Sequence, residues 1–94
     1  MTILVDPLRK WPSGVWCHMG TDDHTEAGLD ELHAMAARIG LQRRWFQGRD
    51  PRHPHYDLRP SKRALAVTAG AVEVDAYEFV RRVTRAAGRL EEKP

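Results

Sequence analysis

Three stretches of helical spacing alternate in this chain with three short β-rich runs, and that alternation places it in the α/β class before any single residue is weighed. In residues 29–39, Leu29, Leu32, Met35, Ala36 and Ile39 fall on one helical face, and Gly40 ends it. Pro60 opens a second helix that Gly70 closes, with Ala64, Leu65, Val67 and Thr68 inside. Asp75 and Glu78 form a capping box for a third, carried on by Ala76, Phe79, Val80, Val83 and Ala87, with residues 90–94 expected to fray. The β-rich runs are Thr2 to Val5, stopped by Asp6-Pro7, then residues 43–47 with Trp45 and Phe46, and residues 71–74. Residues 8–28 and 49–59 read as loops. The order is β-α-β-α-β-α, which predicts a three-stranded parallel sheet with right-handed crossovers.

With 94 residues the chain has room for one core, so residues 1–94 are read as a single domain. A domain of this size hides roughly 60 to 65% of its unfolded surface, and a homodimer would add to that. Cys17 is the one cysteine and has no disulfide partner. Met1 leads into a polar and β-branched segment rather than a signal core, and no apolar run approaches the ~20 residues of a membrane span. A cytoplasmic protein without a membrane partner is expected.

The formal charge is +2, but it is unevenly spread. Residues 15–37 hold Asp22, Asp23, Glu26, Asp30 and Glu31 with no lysine or arginine, whereas residues 38–63 hold eight basic residues against Asp50 and Asp57. In a parallel sheet the loops after the strands share one edge, where ligands usually bind. Here those loops carry Asp6, His18, Asp22, Asp23, His24, His53, His55, Asp57 and Asp75.

Asp30 and His33 are helix neighbours, so the carboxylate can orient the imidazole as a ligand or simply share a local hydrogen bond with it. In His55-Tyr56-Asp57 the outer two side chains can face one way while Tyr56 packs or hydrogen-bonds, although Asp57 also suits a helix cap. His18 and Asp22 add a mixed nitrogen and oxygen set, which suits zinc, manganese or iron. Asp6 is a ligand, an orienting group or a base, or the opener of an Asp-Pro turn. Cys17 adjoins His18 but faces away from it in an extended chain, which argues for packing. Arg43 and Arg44, beside Trp45 and Phe46, can hold an anionic substrate, and with Arg49, Arg52, Arg59, Lys62 and Arg63 they can hold phosphates. No Walker or Rossmann glycine loop is present.

The strings Ile3-Leu4-Val5-Asp6-Pro7, Trp16-Cys17-His18, Glu31-Leu32-His33 and His55-Tyr56-Asp57, with Trp45-Phe46 and Gly70-Ala71-Val72-Glu73-Val74, resemble one family of short bacterial and phage proteins, domain-of-unknown-function family 4031. The resemblance runs from Ile3 to about Arg82. It implies that Asp6, His18, Asp22, Asp30, Glu31, His33, His55, Tyr56 and Asp57 are shared polar positions. It also implies that residues 23–28 are a local insertion, with His24, Glu26 and His53 outside any common site. Cys17 stands where the family typically has a small hydroxyl residue, which argues against a thiol mechanism. No activity comes with the family.

The residues and the resemblance together predict a divalent metal, zinc, manganese or iron, held by His18, His33, His55 and Asp57. Asp6, Asp22, Asp30 and Tyr56 would orient groups or move protons, and Arg43 and Arg44 would bind substrate. A metal-dependent hydrolase of a phosphoester or other small anionic substrate is the leading expectation. A non-catalytic module that binds nucleic acid or protein is the alternative.

Overall fold

The computed structural model describes residues 2–49 and 53–91. Along them run β1 (Ile3–Val5), β2 (Arg9–Trp11), β3 (Gly14–Thr21), α1 (Glu26–Arg38), a 3-10 turn (Arg43–Trp45), β4 (Tyr56–Leu58), α2 (Pro60–Thr68), β5 (Val72–Glu73) and α3 (Ala76–Glu91). Arg52 and residues 92–94 of the expected frayed end lie outside the described residues.

The helices follow from their end signals. Thr25 caps α1 by accepting the Gly28 N–H, and Gly40 leaves the helix at φ +89°, a left-handed conformation that glycine adopts without strain. Pro60 sits in the first turn of α2, and Asp75 accepts the Glu78 N–H at 2.7 Å to start α3.

The α/β class holds, but the sheet is mixed and five-stranded, in the order β2-β3-β1-β5 with β4 also paired to β3. Only the β1–β5 pair is parallel; β3 pairs antiparallel with β1, β2 and β4. The expected long loop at residues 8–28 contains most of a β-hairpin. Pro12 and Ser13 turn it, and Gly14 takes φ +128° at the corner. Residues 43–47 are not a strand. Arg43, Arg44 and Trp45 are exposed and coil into the 3-10 turn, and Gln47 makes a single antiparallel bridge to His55. The loop expected at residues 49–59 contains β4.

The hairpin arm formed by β1 and β2 is broken by one extra residue. Between the pairs Val5↔Met19 and Arg9↔Trp16 lie Asp6, Pro7 and Leu8 on one arm, against Cys17 and His18 on the other. This is a β-bulge at Pro7, which has no N–H to give to a ladder.

Side-chain alternation sorts the strands onto two faces. Ile3, Val5, Cys17, Met19, Tyr56 and Leu58 point to one face and pack with Leu32, Ala36 and Ile39 of α1 and its end and Ala66 of α2. Leu4 points to the other face and packs with Phe79 and Val83 of α3. Gly20 shares that second face, where a Cβ would lie 3.0 Å from the Phe79 ring, so its lack of a side chain lets α3 settle. α3 covers this face over Leu4 of β1 and Gly20 of β3, and the rest carries tryptophans and polar residues.

Candidate metal centre

The polar part of the second face begins with a cross-strand pair. His18 on β3 stands opposite Asp57 on β4, and His55, two residues before Asp57, points to the same side. His18 Nε2 lies 3.9 Å from Asp57 Oδ1, and His55 Nε2 lies 3.5 Å from the same oxygen. Ligand atoms of these three residues all fall within 4.8 Å of one another, and among the described residues they form a group able to hold a metal ion.

Each ring is turned by its other nitrogen. His18 Nδ1–H donates to Asp6 Oδ2 at 2.8 Å, and His55 Nδ1–H donates to the His53 carbonyl at 2.5 Å. Asp57 is fixed as well, because its Oδ2 accepts from Gln47 Nε2 at 2.5 Å. A hydrogen bond of this kind at Nδ1 sets the neutral tautomer in which Nε2 carries the lone pair, the form that binds metal. The contact with His55, followed by the Gln47 bond, holds the Asp57 carboxyl below its ordinary pKa despite partial burial.

Asp6 reaches His18 because of the bulge. The Asp6 N–H donates to the His18 carbonyl at 3.2 Å, while the His18 N–H donates to Asp6 Oδ1 at 2.6 Å. The Asp6 carbonyl in turn accepts from Arg63 Nε at 3.0 Å. Asp6 is 5% exposed, so its charge is buried against two N–H groups of one histidine.

The three ligand residues open onto a cleft of about 520 Å³ walled by Trp11, Pro12, Ser13, Trp16 and Gln47. The buried Phe79 ring of α3 lies 6.1 Å from the His18 ring.

A family model matches residues 3–86 of the chain. The chain belongs to DUF4031, a family of proteins of unknown function. No match was found among curated proteins or among solved structures.

Set on this fold, the polar residues expected from the sequence do not all come together. Asp6, His18, His55 and Asp57 come together. His33 and Tyr56 do not join them, because Tyr56 alternates with its neighbours and points to the α1 face, where its hydroxyl lies 2.8 Å from His33 Nδ1. Burial, reinforced by Arg43, lowers the His33 pKa and favours its neutral ring. Asp30 is exposed on α1, as is Glu31. Asp22 ties strand ends to α3, accepting from the Thr2 amide at 2.7 Å and from Arg82 at 2.5 Å. Arg43 stacks over Phe46 at 5.1 Å and Arg44 donates to Gln42, and neither lines the cleft.

Of the residues expected to lie outside a common site, His24 is buried and bonded to the Thr21 carbonyl at 3.0 Å, and His53 contributes its backbone oxygen to His55 and a ring contact to Thr84. Cys17 points into the core, and burial followed by the Asp6 charge pushes its thiol up to about 12, which leaves it unreactive. Gln47 is the member that sequence reasoning passed over. Its only signal was its place in the aromatic run before the His55 motif, because the bridge to His55 depends on pairing across a loop. Among the described residues no helix is long and apolar enough to cross a membrane.

Proposed function

We propose that this chain is a metal-dependent hydrolase whose divalent ion, zinc, manganese or iron, is held by His18 Nε2, His55 Nε2 and an Asp57 oxygen, and whose substrate is a phosphoester or a related anionic ester. The observation that carries the reading is the orientation of the ligands: two imidazoles pinned through Nδ1 and one carboxylate pinned through Oδ2 aim their remaining ligand atoms at one another. Metal bonds of about 2.1 Å space ligand atoms roughly 3 to 3.5 Å apart, near the two histidine–carboxylate separations of 3.5 and 3.9 Å, and all three atoms already lie within 4.8 Å of one another.

Two histidines and one carboxylate leave coordination positions open on the cleft side, which is the pattern of a catalytic rather than a structural ion. Bound there, a divalent ion supplies a water that ionises near neutral pH. Hydrolysis with that water would form a water oxygen–phosphorus bond, break the ester oxygen–phosphorus bond and leave the water's proton on the departing oxygen. Asp6 supports this chemistry by holding His18 in the ligand tautomer and by keeping negative charge behind it.

Elemental analysis of protein purified without a histidine tag, beside His55→Ala, tests the reading. Near-stoichiometric metal that disappears in the variant is the expected result, followed by hydrolysis of a phosphodiester that chelation stops and metal restores. Protein that carries no metal and takes up no added zinc, manganese or iron overturns it.

A further inference from the structure

The metal centre continues into a second cleft of about 440 Å³ that shares Trp16, Gln47 and Asp57 with the first and is otherwise walled by Leu41, Trp45, Arg59 and Lys62. Trp45 is 47% exposed and Trp11 41% exposed, an unusual outlay of large apolar surface for residues that stabilise no core. Two arginines accompany the tryptophans. Arg59 lies 4.0 Å over the Trp16 ring, and Arg9 lies 5.3 Å over Trp11.

Register puts Arg9, Trp11, Trp16 and Arg59 on the metal's side of the sheet, and Trp45 reaches the second cleft from the 3-10 turn. Arg9 pairs with Trp16, Trp11 pairs with Gly14, and Trp16 lies two residues before His18. Arg59 follows Asp57 by two residues in extended backbone. A guanidinium stacked on an indole keeps its N–H edge available and fixed in direction, which suits a phosphate oxygen.

Resting on the metal-centre reading above, we infer that the substrate is a nucleoside phosphate. Its phosphate sits at the junction of the two clefts, between the His18–His55–Asp57 centre and Arg59, and its base lies against Trp45 and Leu41 in the second cleft. Gln47 and Asp57 line both clefts, so a sugar lying along them would join a base in the second cleft to a phosphate at the first. Lys62 adds positive charge to that cleft, although its Nζ also donates to the Ile39 carbonyl at 2.8 Å. Flat aromatic walls tolerate any base, so the chemistry selects nucleotides as a class.

The test is tryptophan-fluorescence titration of chelator-treated and zinc-loaded protein with adenosine monophosphate, ribose 5-phosphate and a short oligoadenylate. Adenosine monophosphate is expected to bind about tenfold or more tighter than ribose 5-phosphate in both samples, because stacking does not need the ion. Trp45→Ala should erase that preference, whereas Arg59→Gln should weaken both phosphates alike. With that preference present, tighter binding of the oligoadenylate than of the monophosphate identifies the source as a nucleic-acid strand, and equal binding identifies free nucleotide; either supports the inference. Ribose 5-phosphate binding as tightly as adenosine monophosphate, a preference that survives Trp45→Ala, or no nucleotide binding in either sample overturns it. A base preference in protein that takes up no zinc upholds the nucleotide site while the metal reading fails, so the two are told apart.

Discussion

The two faces of the sheet are made by the same strands and are finished differently. The face under α1 and α2 is closed, with Leu32, Met19, Tyr56 and Leu58 fully buried and the polar pair His33 with Tyr56 satisfied internally. The face under α3 is closed only where Leu4, Phe79 and Val83 meet, and its remainder carries Trp16, His18, His55 and Asp57 around an open cleft. The contrast teaches that a short chain can set aside half of one sheet face for polar groups when the opposite face carries the bulk of the core. Stability and metal affinity are therefore expected to respond to different residues.

Leu32→Ala should have the largest effect, a loss of about 2 to 5 kcal/mol in chemical denaturation, because it opens a cavity in the closed face. Metal affinity of the folded fraction should not change; a large change would show that the two faces are coupled. Asp6→Asn should do the reverse, weakening metal binding roughly 10- to 100-fold by calorimetry. An amide can still accept the His18 N–H, but its NH2 cannot accept from Nδ1–H, so the ring turns to the tautomer with the proton on Nε2.

Asp22→Asn should cost about 1 to 2 kcal/mol at neutral pH through the lost Arg82 pair. Burial works against the Asp22 charge, but the Arg82 and Thr2 hydrogen bonds outweigh it and lower the folded pKa. The stabilisation is thus present above the ordinary carboxylate range and lost as pH falls through the folded value, so the deficit of the variant should shrink in acid. A deficit independent of pH would assign it to packing instead. The smallest effect is expected from His33→Ala, about 1 kcal/mol of stability from the Tyr56 contact, with metal content unchanged. Loss of metal there would return His33 to the ligand set.

What could be read from the sequence follows from how local each signal is. All three helices were legible because their caps and stops, Gly40, Pro60, Gly70 and Asp75, act within a few residues of the elements they bound. β3 was not. Its first half lies over a half-exposed hairpin and its second half is buried on both faces, so no single alternation runs through its length. The Pro12-Ser13-Gly14 turn was the missed sign. β4 is three residues long and owes its existence to β3, which no local pattern reports.

The candidate residues themselves were mostly legible, and their grouping was not. Asp6, His18, His55 and Asp57 stood among nine loop residues expected at a shared sheet edge. They meet instead on a sheet face, through antiparallel register. One step along β4 turns Tyr56, with His33 bonded to it, to the other face, while Asp22 lies past the end of β3 against Arg82 and Asp30 is exposed on α1.

Asp6, just past the end of β1, His18 on β3 and Asp57 on β4 lie at one level across the sheet. They form a rung perpendicular to the chain direction, and its spacing is dictated by backbone ladders about 4.8 Å apart. A loop that lengthens or shortens between these strands leaves the rung intact, whereas a single-residue slip within a strand dismantles it. Divergence in this fold is therefore free to accumulate in the segments that join the rung and is closed to insertion inside it.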